Sequence, residues 1–214
     1  REQTGAGALA WSKFRAMLQM GVPVAGCLLF ESGAFAAAAL MMGWLGATAL
    51  AAHQIALSCA AFTFMFPLGL SMAASIRISK TLGEGRREAL RAIGFGALAF
   101  SSLLMLTFAL VFAGAGGLLA RGFTTDPAVI ALAAQLLVVA AVFQLFDGGQ
   151  VVSSGALRGL TDVKVPTVIT FIAYWVVSLP LAALLAFRTQ LGPVGIWTGL
   201  AAGLMGIGGG IVAV

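Results

Sequence analysis

Charged residues are scarce in this sequence. Asp, Glu, Lys and Arg make up 9% of its 214 residues, against about 25% in a soluble domain. Too few polar side chains remain to cover a water-facing surface, so a soluble globular domain is excluded. Cysteine is nearly absent. Cys27 and Cys59 both lie in apolar runs without metal-ligand spacing, which leaves them as small buried thiols and gives no disulfide framework. There is no Walker loop, no His/Cys metal cluster and no nucleophile with a base and an orienting group, so no enzyme is expected. The run Gly206-Ile207-Gly208-Gly209-Gly210 is no nucleotide fingerprint, because it lies in an apolar span with no strand before it. An initiator Met is missing, the chain stops at Val214 within an apolar run, and no signal peptide precedes it. Both ends read as cut from something longer.

Hydrophobic residues make up 61% of the chain, and the mean hydropathy is +1.06. A spanning helix needs about 20 apolar residues. Six segments qualify: about Met20 to Met42, Ala47 to Ile76, Ala92 to Ala120, Ala128 to Leu157, Val165 to Phe187, and one from Val194 onward. The expected fold class is an all-α polytopic membrane protein, a six-transmembrane-helix bundle. No linker divides residues 1–214, so they are read as one lobe. The net charge of +5 reports orientation rather than nucleic acid. With the N-terminus inside, Arg1, Lys13, Arg15, Arg77, Lys80, Arg86, Arg87, Arg91, Arg158 and Lys164 face the cytoplasm, and only Arg121 and Arg188 face out. That asymmetry places both termini in the cytoplasm.

The loops are short. Gly43 to Gly46 reads as a tight turn joining the first two helices into a hairpin. In Thr124-Thr125-Asp126-Pro127, Asp126 is suited to cap a helix and Pro127 to its first position. Abundant Gly (28 residues) and Ala permit close helix approach.

Two carboxylates interrupt the apolar spans. Glu31 is 11 residues from both Met20 and Met42, and Asp147 is 11 residues before Arg158. At 1.5 Å per residue each is about 16 Å from its helix anchor, near mid-membrane. An ionised carboxylate there costs a few kcal/mol. Every Lys and Arg falls at a helix end or in a loop, so neither has an expected partner within a span. Protonation, a bound cation or a water-filled cavity would each relieve the cost, and each makes the group a reversible cation site. The plainer alternative is a protonated carboxyl bonded to a backbone carbonyl.

Ser32 and Gly33 follow Glu31, and Gly148, Gly149 and Gln150 follow Asp147. Gln144 is three residues before Asp147, on the same face. His53 and Gln54 enter the second helix about two turns from its outer end. Gln54 is suited to bond a substrate, and His53 to either a structural bond or proton transfer. Pro67 is expected to bend the second helix, as a fixed kink or as a moving part. Phe62, Phe64, Met65 and Phe66 serve packing, lipid contact or an apolar drug surface.

Four stretches carry a resemblance: MGVPVAGCLLFESGAF from Met20, GATALAAHQIAL from Gly46, FMFPLGLSMAASIRISKTLGEG from Phe64 and FQLFDGGQVVSSGALRGLTD from Phe143. Together they resemble the C-terminal lobe of the multidrug and toxic compound extrusion (MATE) family, in its bacterial NorM-like branch, over nearly the whole chain. The resemblance implies one six-helix lobe of a twelve-helix antiporter in the bacterial cytoplasmic (inner) membrane. Such a protein exports cationic amphipathic drugs in exchange for inward H⁺ or Na⁺, without a cofactor. Its partners would be those drugs, membrane lipid and the N-terminal lobe, with no nucleic acid. Glu31 and Asp147 match the family's coupling positions, where Na⁺ is the metal candidate. His53 and Gln54 match its polar pair on the second helix, and Phe143, Gln144 and Gln150 join them as cavity residues. Some Na⁺-coupled members carry a Tyr one turn before the Asp. Phe143 stands there and offers no oxygen, which favours H⁺. Two other readings remain open: a lipid or lipid-linked-sugar flippase, which would want a basic cavity, and a non-transporting membrane interaction module.

Overall fold

The structure is a computed structural model that describes the backbone of residues 3–212 and the side chains of residues 11–205. Arg1 and Val214, and the side chains of the Gly206–Gly210 run, lie outside the described residues. Six helices follow one another: α1 Gln3–Leu45, α2 Ala47–Gly83, α3 Glu88–Arg121, α4 Pro127–Gly159, α5 Lys164–Arg188 and α6 Pro193–Val212. The first five are long and apolar enough to cross a membrane, and the described part of α6, Pro193–Met205, is a shorter apolar helix.

α1 starts 17 residues before the apolar run that marks its span. Hydropathy finds the bilayer segment and not the helix end, and residues 3–19 contain no Pro to stop the helix. Between α1 and α2 the chain turns on Gly46 alone, whose φ of 118° suits a residue without Cβ. Asp126 caps α4 as expected: its Oδ1 accepts from the Ala128 N–H at 2.9 Å, and Pro127 takes the first turn. α2 runs through Pro67 without a break, and Pro67 itself is buried.

α4 is the central post, packed against α2, α3 and α6. Its contacts are close because small residues face them. A Cβ on Gly155 would strike the Ser71 hydroxyl, and one on Gly159 would sit 2.8 Å from the Ser75 carbonyl oxygen. α6 meets α5 through Gly195, Gly199 and Gly203, at a four-residue spacing. A Cβ on Gly195 would lie 2.7 Å from the Leu185 backbone, and one on Gly199 would overlap the Ala182 backbone. In lipid, where hydrophobicity gives helices no reason to associate, such close van der Waals contact holds them together. The core joins Met42, Leu136, Leu137, Phe143, Tyr174, Trp197 and Leu200.

One feature of α5 departs from the expected uniform span. Ile172–Ser178 forms a π-helical segment. Pro180, just downstream, has no N–H for the Val176 carbonyl, and its ring crowds that turn. The widened turn relieves the crowding, and the Leu179 N–H reaches back five residues to the Tyr174 carbonyl.

Candidate functional site

α1, α2 and α4 frame an open cleft of about 630 Å³. Glu31, Ser32 and Phe35 of α1 line one wall, Gln54 and Phe64 of α2 another, and Phe143 and Asp147 of α4 the floor. The two carboxylates come to one place, within charge–charge range of each other. Asp147 is 7% exposed, and its Oδ1 is buried without a hydrogen-bond partner. Glu31 is half-buried. Among the described residues the ion pairs are Lys80–Glu84 and Arg86–Glu84, both exposed, so neither buried carboxylate is paired. A carboxylate oxygen with no donor in an apolar wall is a vacant acceptor, suited to a proton or to a cation. No group of three or more His, Cys, Asp or Glu side chains suitable for a metal occurs among the described residues. A cation held here would rest on these two carboxyls and backbone or water oxygens.

Phe143 forms part of the cleft and stacks edge-on against Phe35 (5.8 Å between ring centres) and Trp197 (5.9 Å). It presents only carbon to the cleft. Gln54 is exposed on the cleft wall. His53 is not on that wall. It is fully buried, and its Nδ1 accepts the Trp197 indole N–H at 3.1 Å. Adjacent helical positions diverge by about 100°, so His53 and Gln54 cannot share one face. Nδ1 as acceptor puts the imidazole proton of the neutral ring on Nε2, which has no partner. Gln144 also turns away from the cleft, taking a 2.9 Å hydrogen bond from Thr63 of α2. Gln150 lies on a second, smaller cavity below Glu31, with its Oε1 unpartnered.

Sequence reasoning missed three residues. Tyr174 is fully buried, its hydroxyl has no partner, and the charges of Glu31 and Asp147 reach it. Its neighbour Trp175 donates from Nε1 to the Phe30 carbonyl at 3.0 Å, fixing the backbone immediately before Glu31. Both sit in the π-helical segment. The only available signal was a lone Tyr in an apolar span close before Pro180. The third is Arg158. It is half-buried and lines the small cavity with Glu31. One Nη donates to the Ser71 hydroxyl at 2.8 Å, and that hydroxyl donates to the Val151 carbonyl at 2.9 Å. Among the described residues no ion pair joins it to Glu31. Residue counting measured distance along α4 from Asp147, whereas the packing of the helices makes Arg158 and Glu31 line one small cavity.

Known proteins place this architecture. The MatE family model matches residues 23–184. A probable multidrug resistance protein NorM of Mesorhizobium japonicum is 45% identical over 199 residues, covering 91% of this chain and 43% of that protein. A multidrug resistance protein NorM of Burkholderia vietnamiensis is 45% identical over 196 residues, covering 89% and 42%. The chain thus spans less than half the length of these relatives. Among solved structures, the eukaryotic MATE transporter AtDTX14 superposes with a TM-score of 0.87 at 22% identity, over 95% of this chain and 47% of that one. A MOP superfamily transporter from Pyrococcus furiosus superposes with a TM-score of 0.83 at 18% identity, over 92% and 43%. With the family model matching residues 23–184, most of its length, the chain belongs to the MatE family, and its multi-helix membrane fold corresponds to about half of the MATE transporters on which it superposes.

Proposed function

We propose that this chain is the coupling half of a secondary antiporter in the bacterial inner membrane, exporting cationic amphipathic compounds in exchange for an inward cation. The observation that carries this reading is the pair Glu31 and Asp147, unpaired and facing one cleft. NorM multidrug resistance proteins as relatives support it. The mechanism is competition for negative charge. A cation or proton neutralises the carboxyls. Its release restores charge, and the apolar walls with Phe35, Phe64 and Phe143 then receive a cationic, partly aromatic compound. The remaining half of the transporter supplies the facing wall, and rocking of the two halves exchanges access. Phe143 and the orphaned Asp147 oxygen favour H⁺ over Na⁺, since a sodium ion wants more oxygen ligands than two carboxyls provide.

Glu31→Gln and Asp147→Asn keep shape and remove charge. Installed in the complete transporter, either is expected to abolish drug resistance at unchanged expression, measured as growth inhibition and as dye efflux from cells. Normal resistance in both variants would refute the coupling role. A flippase is disfavoured because the wide cleft has no basic side chain on its walls.

A further inference from the structure

Three cavities run end to end through this lobe, joined by shared walls. The cleft of about 630 Å³ and the small cavity of about 40 Å³ share Glu31, Leu28 and Phe64. The small cavity shares Val163 with a third, open cavity of about 440 Å³, which reaches Gln19, Asp162 and Lys164. The series descends one face of α1, from Glu31 past Cys27 and Val24 to Met20 and Gln19. Twelve residues separate Glu31 from Gln19, so the descent is about 18 Å. On α4 it follows Asp147, Val151, Ser154 and Arg158, spaced for one helical face. The lower mouth lies at the basic end of the helices, the cytoplasmic side by the distribution of Lys and Arg.

We propose that the two lower cavities of this series form a water-filled release passage, leading down from the drug cleft, through which the coupling ion leaves Glu31 for the cytoplasm, with Val163 as its apolar constriction. The proposal rests on the coupling reading of Glu31. A water needs about 10–15 Å³ of such space, so 40 Å³ holds two or three. The cavity also offers them partners: the unpartnered Gln150 Oε1, the Ser154 hydroxyl and the Glu31 carboxyl. Two or three waters suffice to relay a proton and are too few to hydrate a sodium ion. Arg158 is anchored by Ser71 and closes no ion pair with Glu31. Its guanidinium lines the same small cavity. Val163 is 6% exposed and separates the two lower cavities. Asp162 and Lys164 both line the outer mouth, which gives the released ion a polar exit.

The test uses the complete transporter in proteoliposomes, with ethidium as the transported cation and a pH dye reporting proton flux. Val163→Phe is expected to slow proton-coupled ethidium movement about tenfold, and Val163→Ala to leave it equal or faster. Cys27 lines the small cavity and provides a check that leaves Val163 unchanged. With other cysteines changed to Ser, a small methanethiosulfonate reagent added from the cytoplasmic side is expected to label Cys27 and block coupled flux, and reductant to restore it. Because labelling follows folding, it decides the matter even where Val163→Phe fails to fold. Glu31→Gln runs in parallel. If Glu31→Gln retains coupling, the coupling reading fails. If Glu31→Gln is inactive while the Cys27-labelled protein moves protons at the unmodified rate, or Cys27 stays unlabelled from the cytoplasmic side, the passage alone is overturned.

Discussion

At the scale of single residues, the buried polar atoms of the lobe divide into two kinds. Some belong to structural pairs. The Trp197 N–H is the donor held by the buried His53 Nδ1, so Trp197→Phe leaves a buried acceptor empty. That should cost about 1–3 kcal/mol, read as a lower unfolding temperature in detergent. His53→Phe in the same background should recover part of the loss, because both partners are then apolar. Others face the carboxylates. The Tyr174 hydroxyl is buried without a partner, and a fold gains little from such a group. Tyr174→Phe is therefore expected to keep or slightly raise thermal stability while lowering cation-coupled dye efflux. A merely structural hydroxyl would show the opposite pattern.

At the scale of helices, approach distance decides stability. The α5–α6 seam has no room for a methyl group at Gly199. Gly199→Ala should cost about 1–3 kcal/mol through forced backbone shifts, visible as a lower melting temperature of the purified protein. Gly69 has open space around it, so Gly69→Ala on α2 should lack this steric penalty. The π-helical segment works on the same scale. It answers a local problem set by Pro180, and its wider turn carries both Tyr174, in the core, and Trp175, bonded to the Phe30 carbonyl. Hydrophobic periodicity carries no trace of it, because an apolar span reads alike whether its turns hold 3.6 or more residues.

At the scale of the whole molecule, the six-helix bundle presents an open, mostly apolar cleft with two acids on its walls. Large apolar side chains such as Leu103, Leu110 and Leu118 of α3 are more than 60% exposed, which suits lipid. On the proposed reading, the coupling ion is tested in the complete protein. Efflux from vesicles under separately imposed gradients should follow an inward proton gradient and show little response to a sodium gradient. A sodium response alone would shift the site to water and backbone oxygens in place of the ligand Phe143 lacks.

Much of this was legible in the chain itself. Length and composition determine the helix count, because each span must satisfy its own backbone in lipid and needs about 20 apolar residues to do so. The same physics makes Glu31 and Asp147 conspicuous, since a charge at mid-membrane is too costly to be incidental. Only tertiary structure decided which polar residues face the cleft. Gln54 faces it, while His53 and Gln144 turn into the packing between helices. Arg158 and Val163 likewise gain their places below Glu31 from the packing of α1, α2, α4 and α5. Rotation of a helix about its axis is set by what it packs against, and that information lies in the neighbouring helices rather than in the run of residues along one of them.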